Sequence, residues 1–130
     1  MNELIGFKKE FEIVSKNLSE EKLNNSILVC GNKGIGKNFF ITKIIEDCIN
    51  IRINKDKINH HLTLLNNNTH PNIKILHKKI DDKTGKLKNN ITIDQIRELN
   101  NFFVETSVFE NFPKFTIIDC ADDLNISSSN

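Results

Sequence analysis

Apolar residues fall in patterned blocks separated by polar, asparagine-rich stretches. Leu4, Phe7, Phe11, Val14 and Leu18 recur at steps of three and four through NELIGFKKEFEIVSKNLSEEKL, a spacing that gathers side chains on one face of a helix. Two asparagines then precede SILVC, residues 26–30, whose unbroken apolar run predicts a short buried strand. The loop GNKGIG holds three glycines in six residues, and KNFFITKIIEDCIN returns to helical spacing through Phe39, Phe40, Ile44, Ile45 and Cys48. Strand, glycine loop and helix are expected in direct succession.

Residues 50–69 are less periodic and predict a connection with a short helix over Ile58–Leu65, closed by the turn-forming NNNTHPN. Residues 73–77 predict a second strand, and DDKTGKLKNN a polar loop or hairpin tip around Gly85. Thr92 stands three positions before Gln95, a capping-box spacing at the start of a helix. That helix should turn Ile93, Ile96, Leu99 and Phe103 inward and Gln95, Arg97 and Glu98 outward. NFPKF interrupts it, and residues 115–119 (FTIID) predict a third strand. The β-α-β-α-β order with apolar strands implies an α/β fold, a parallel sheet flanked by helices in three layers.

At 130 residues the chain suits one domain, 1–130, and not two. Eighteen basic residues nearly balance seventeen acidic ones, which gives no chain-wide attraction to nucleic acid or to an acidic membrane. The opening segment carries acidic residues and no long apolar run, so it is not read as a signal peptide. No stretch of about 18 apolar residues is present, and a cytoplasmic location without a membrane partner is expected. Asn and Ile each occur 20 times, a bias that codon usage in an AT-rich genome produces without any functional cause. The three cysteines, Cys30, Cys48 and Cys120, form no C-x-x-C pair, which argues against a zinc site. Cys30 and Cys120 lie within apolar runs and are expected as buried, reduced thiols. His60, His61 and His70 match no standard metal spacing with Cys48, so no metal site is assigned.

Gly31, Gly34, Gly36 and Lys37 stand where a phosphate-binding loop, G-x-x-x-x-G-K-[ST], requires them, between an expected strand and an expected helix. Such loops work because backbone N–H groups and a helix N-terminus converge on phosphate oxygens, while the lysine adds a point charge. The motif's last position, normally a magnesium-binding Ser or Thr, is Asn38. Its neutral amide oxygen is a poorer partner for Mg²⁺. Asp119 ends a hydrophobic strand, where a second magnesium partner is expected, but the neighbouring position holds Cys120 in place of a water-positioning Glu. Asp122 and Asp123 are read as helix-start or solvated residues. The cradle is present and the hydrolytic parts are not, so no catalytic residue is assigned and ATP with Mg²⁺ is expected to bind weakly or not at all.

NNSILVCGNKGIGK, THPNIKIL, ITIDQIRELNNFF and FTIIDCADDLNISSSN occur in the order and approximate spacing of the AAA+ delta-prime subunits of the bacterial DNA polymerase III clamp loader, which the chain resembles over essentially its whole length. The resemblance implies an AAA+ nucleotide-binding domain in a non-catalytic subunit that supports ATP-dependent loading of the sliding clamp in DNA replication. Implied partners are the ATP-hydrolysing subunits and delta, with the clamp and primer–template DNA touched indirectly. Many relatives carry a four-cysteine zinc module where this chain has only Cys48, so zinc is not carried over. The family's sensor strand, arginine-finger motif, lid and collar would follow residue 130, and no such role is assigned; the domain is expected to be incomplete. In the implied sheet, a strand from that following region lies between the strands at 26–30 and 115–119. Two other classes stand beside this reading. One is a small independent P-loop NTPase or nucleotide kinase, opposed by Asn38, Cys120 and a chain with only two arginines, Arg52 and Arg97. The other is direct DNA binding, opposed by the near-neutral charge and the lack of a basic stripe.

Overall fold

The computed structural model describes residues 6–22, 26–32 and 34–119. Leu4, Cys120, Asp122 and Asp123 lie outside them. The elements in chain order are α1 (Lys8–Ser19), α2 (Lys37–Arg52), α3 (Ile58–Asn66), β1 (Ile73–Leu76), α4 (Ile93–Val104) and β2 (Phe115–Ile118). The chain divides into two compact units, residues 1–63 and 64–130.

In the first unit α1 packs on α2. The helical spacing of the opening segment is realised in Phe11, Val14 and Leu18, of which Leu18 is buried. Phe11 meets Phe40 edge to face at 6.3 Å, a geometry that places one ring's positive edge on the other's negative face. The Ser15 hydroxyl donates to the Asp47 carboxylate, and Arg52 donates to the Leu18 carbonyl at 3.2 Å. α2 buries Ile44, Ile45, Cys48 and Ile49, positions three and four apart as an amphipathic helix requires.

The second unit holds the sheet. β1 and β2 run parallel in the register Ile73↔Phe115 to Leu76↔Ile118. Parallel neighbours need a crossover, and here it consists of a hairpin around residues 80–87 followed by α4, which packs on β1. α4 begins with the expected capping box: the Thr92 hydroxyl accepts from the Gln95 amide, and the Gln95 side chain accepts from the Thr92 amide. Ahead of β1, Asn72 is fully buried. Its side-chain amide donates to the carbonyls of Phe109 (2.9 Å) and Phe112 (2.8 Å), and its own carbonyl accepts from Phe115 at 2.8 Å. A single side chain thus fixes the loop that delivers the chain into β2. The buried His70 ring lies beside Phe109 and Phe112, at 5.4 and 5.1 Å, and its Nδ1 accepts from the Asn72 amide.

Four expectations need correction. Residues 26–30 form no strand, and Leu28 is 77% exposed. A strand exists only through a hydrogen-bonded neighbour, and among the described residues the sheet consists of β1 and β2 alone. For the same reason Cys30 is exposed rather than buried. Gln95 turns inward, only 3% exposed, because it closes the capping box and donates to the His77 carbonyl at 2.9 Å. Phe103 is 54% exposed, since it lies near the end of α4, past the turn that covers Leu99.

Candidate phosphate site

The glycine loop and the start of α2 lie within the first unit. Gly34 and Gly36 take φ of +83° and +96°, values that side chains with a Cβ resist. Gly31 is constrained differently: a Cβ there would come within 3.2 Å of the Ile35 side chain. The Ile35 amide bonds the Asn32 carbonyl at 3.3 Å, which tightens the turn before the helix. The motif glycines are therefore needed for this loop's shape.

Gly36 is the N-cap of α2, with no side-chain cap and no acidic residue in the first turn. The leading amides of an α-helix have no intrahelical partner, and the positive end of the helix favours an anion there. α4 in the same chain is closed by its own Thr92–Gln95 box.

Lys37, the first residue of α2, folds back over the loop. Its Nζ donates to the carbonyls of Gly31 (2.6 Å) and Asn32 (3.2 Å). An incoming phosphate would draw the ammonium from these carbonyls, so part of its attraction goes into breaking contacts already made. Asn38 is exposed in the first turn, and its carbonyl accepts from the Thr42 hydroxyl at 2.9 Å. Asp119 stands just beyond β2 in the second unit, its amide donating to the Leu76 carbonyl at 2.9 Å. Cys120, the other residue expected there, lies outside the described residues. The structure thus brings together Gly31, Gly34, Gly36 and Lys37 and sets Asn38 beside them. This donor set fits a phosphate. Toward a magnesium ion Asn38 offers a neutral amide oxygen in place of the motif's hydroxyl, a poorer partner.

Elsewhere, burial pushes the Cys48 thiol up to about 11. His61 is held below its ordinary range by burial, with His60 and Lys57 adding to the effect. Both are buried residues outside the loop. Among the described residues no helix is long and apolar enough to cross a membrane.

A mixed α/β chain with a parallel strand pair and a glycine loop opening a helix belongs to a broad class, within which comparison with known proteins is specific. A family model described as DNA polymerase III, delta subunit, matches residues 7–130, and the chain belongs to that family of clamp-loader subunits, which act in DNA replication. Comparison with curated proteins and with solved structures gave no match.

Proposed function

We propose that the chain acts as a delta-prime-type, non-hydrolysing subunit of the clamp loader, its residues 1–130 belonging to an AAA+-type, three-layer nucleotide-binding domain. In this reading it supports ATP-dependent loading of the sliding clamp by holding the ATP-hydrolysing subunits and delta in place. It meets the clamp and primer–template DNA through those partners, in the cytoplasm. The observation that carries the reading is the phosphate loop itself: the cradle of Gly31, Gly34, Gly36 and Lys37 is built, yet Asn38 replaces its metal-binding hydroxyl. Phosphoryl-transfer catalysis depends on positioning a metal and a water around the phosphate. A cradle without those parts binds an anion weakly and leaves the chemistry to neighbours.

Two measurements test this. Calorimetry with Mg-ATP should show weak or no binding, and binding of inorganic phosphate or ATP, where measurable, should fall further in Lys37→Ala. A phosphate-release assay should stay at background. Lys37-dependent release at about one per second or faster, within the ordinary enzyme range, would overturn the scaffold reading and establish an independent NTPase. Co-purification with the clamp-loader ATPase subunits tests assembly separately from nucleotide chemistry.

A further inference from the structure

We propose that the open edge of β1 takes up an extended peptide as an added strand, one in which acidic and apolar residues alternate. The inference is independent of the glycine loop and of the proposed function. Among the described residues β1 has one hydrogen-bonded neighbour, β2. The Phe115 amide donates to the Asn72 carbonyl and the Asp119 amide to the Leu76 carbonyl, so Asn72, Lys74 and Leu76 turn their backbone groups toward β2. Backbone groups alternate sides along an extended strand, which turns those of Ile73 and Ile75 to the other edge. There the Ile73 amide closes a turn on the His70 carbonyl at 3.1 Å, and the Gln95 side chain takes the His77 carbonyl at 2.9 Å. Between these two stops, the Ile73 carbonyl and the Ile75 amide and carbonyl meet no hydrogen-bond partner among the described residues. An open run of this kind is a template for another strand.

The two faces of β1 set the pattern of the incoming strand. Lys74 reaches Glu98 of α4 at 3.8 Å, so Lys74 and Leu76 share the face on which α4 packs. Ile73, Ile75 and His77 lie on the opposite face, and Ile75 is exposed there. They line a cavity of about 330 Å³ together with Leu65, at the end of α3, and Asn68 and His70 ahead of β1. Lys74 lines it as well, which places the cavity along the edge of the strand and not over one face alone. Side chains of an added strand would alternate in the same way. One set would enter the cavity, and the other would run beside Lys74.

Charge selects the occupant. The stretch 73–79 (IKILHKK) holds three lysines and no acidic residue, and one carboxylate, Glu98, serves both Lys74 and Lys79 at 3.8 Å each. A second copy of β1 would bring lysines against lysines, and lysines on an edge strand oppose such pairing of like edges. A strand with acidic side chains on its Lys74 side meets complementary charge instead. The aliphatic part of the cavity, Leu65, Ile73 and Ile75, asks for apolar side chains at the intervening positions. Nucleic acid could match the charge, but it lacks the alternating N–H and C=O groups that complete an open strand edge.

The probe is a labelled, end-capped peptide of sequence EVEIEVE, titrated with the full chain and followed by fluorescence anisotropy. Wild type should bind it, and should bind the charge-reversed KVKIKVK at least about tenfold more weakly. Two further versions of EVEIEVE carry N-methyl groups on alternate residues, one version for each set. The version methylated on the edge that meets β1 should bind at least about tenfold more weakly, and the other should keep most of the affinity, because only one edge of an added strand pairs. Lys74→Glu/Lys79→Glu should weaken EVEIEVE at least about fivefold, while the same charge change in α1, Lys8→Glu/Lys9→Glu, should alter it less than about twofold. No binding by wild type would overturn the proposal, as would equal binding of both methylated versions or equal losses in the two lysine pairs. A dimer in sedimentation that EVEIEVE displaces would assign the edge to a second copy and overturn it. A duplex oligonucleotide bound more tightly than EVEIEVE, and lost in Lys74→Glu/Lys79→Glu, would assign it to nucleic acid and overturn it too. The peptide comparisons use wild type alone, and unchanged circular dichroism would show that the lysine variants keep the fold.

Discussion

Replacing Asn72 with leucine tests whether one buried amide organises the second unit. The native side chain donates to the carbonyls of Phe109 and Phe112 at 2.9 and 2.8 Å and accepts from the Phe109 amide at a long 3.5 Å. Leucine has the same branched skeleton with bulkier, apolar ends, so the substitution removes the hydrogen bonds without leaving a cavity. Two well-formed bonds contribute about 1 kcal/mol each, and depriving a buried carbonyl of its donor adds roughly 1–3 kcal/mol. The expected loss is about 3–5 kcal/mol, a large part of the roughly 5–15 kcal/mol that holds a domain together. The chain contains no Trp or Tyr, so urea unfolding is best followed by circular dichroism. With a denaturant slope of about 2 kcal/mol per M, the midpoint should fall by about 1.5–2.5 M. Asn72→Asp sharpens the test, because it retains an acceptor but turns a carboxylate toward two carbonyls, and it should be at least as damaging at neutral pH. A loss below about 1 kcal/mol in Asn72→Leu, or an Asp variant as stable as wild type, would refute the argument that these donors hold the loop before β2.

Thr92→Ala removes the hydroxyl that accepts from the Gln95 amide and should cost about 0.5–2 kcal/mol of stability in the same assay. Gly36→Ala forces a Cβ onto φ +96° and should lower stability by about 1–3 kcal/mol while abolishing any measurable phosphate binding; an alanine variant as stable as wild type would show that the loop relaxes. Cys48 should resist thiol reagents in a Cys30→Ser/Cys120→Ser background, reacting only as fast as the chain unfolds, because it is 1% exposed. Its thiol pKa is raised by burial from 9.0 to about 11, so the folded state holds the proton more tightly than the unfolded state. The resulting stabilisation is complete below pH 9 and is lost as pH rises through 11; in that window wild type should lose more stability than Cys48→Ala, measured by urea midpoints at several pH values.

Helical spacing alone located α1, α2 and α4, because a helix satisfies its own backbone and its burial pattern is written in residues three and four apart. The capping box at Thr92, the turn at Gly85 and the loop of Gly31, Gly34, Gly36 and Lys37 were legible for a related reason: each depends on residues within a few positions of one another. What depends on a distant partner was not legible in this way. SILVC reads as a strand, yet strand identity belongs to a pair, and residues 26–30 have no ladder partner among the described residues. Gln95 reads as a surface residue until the His77 carbonyl, eighteen positions away, draws it inside. Nothing in THPNIKIL marks Asn72 as the amide that binds carbonyls 37 and 40 residues downstream. IKIL reads as a strand carrying one lysine, but only its pairing with β2 and the Lys74–Glu98 contact decide which edge stays open and which face carries the charge. Contacts within one turn of chain are encoded by neighbours, whereas long-range pairing and the sidedness of a charged surface arise only when separate segments meet.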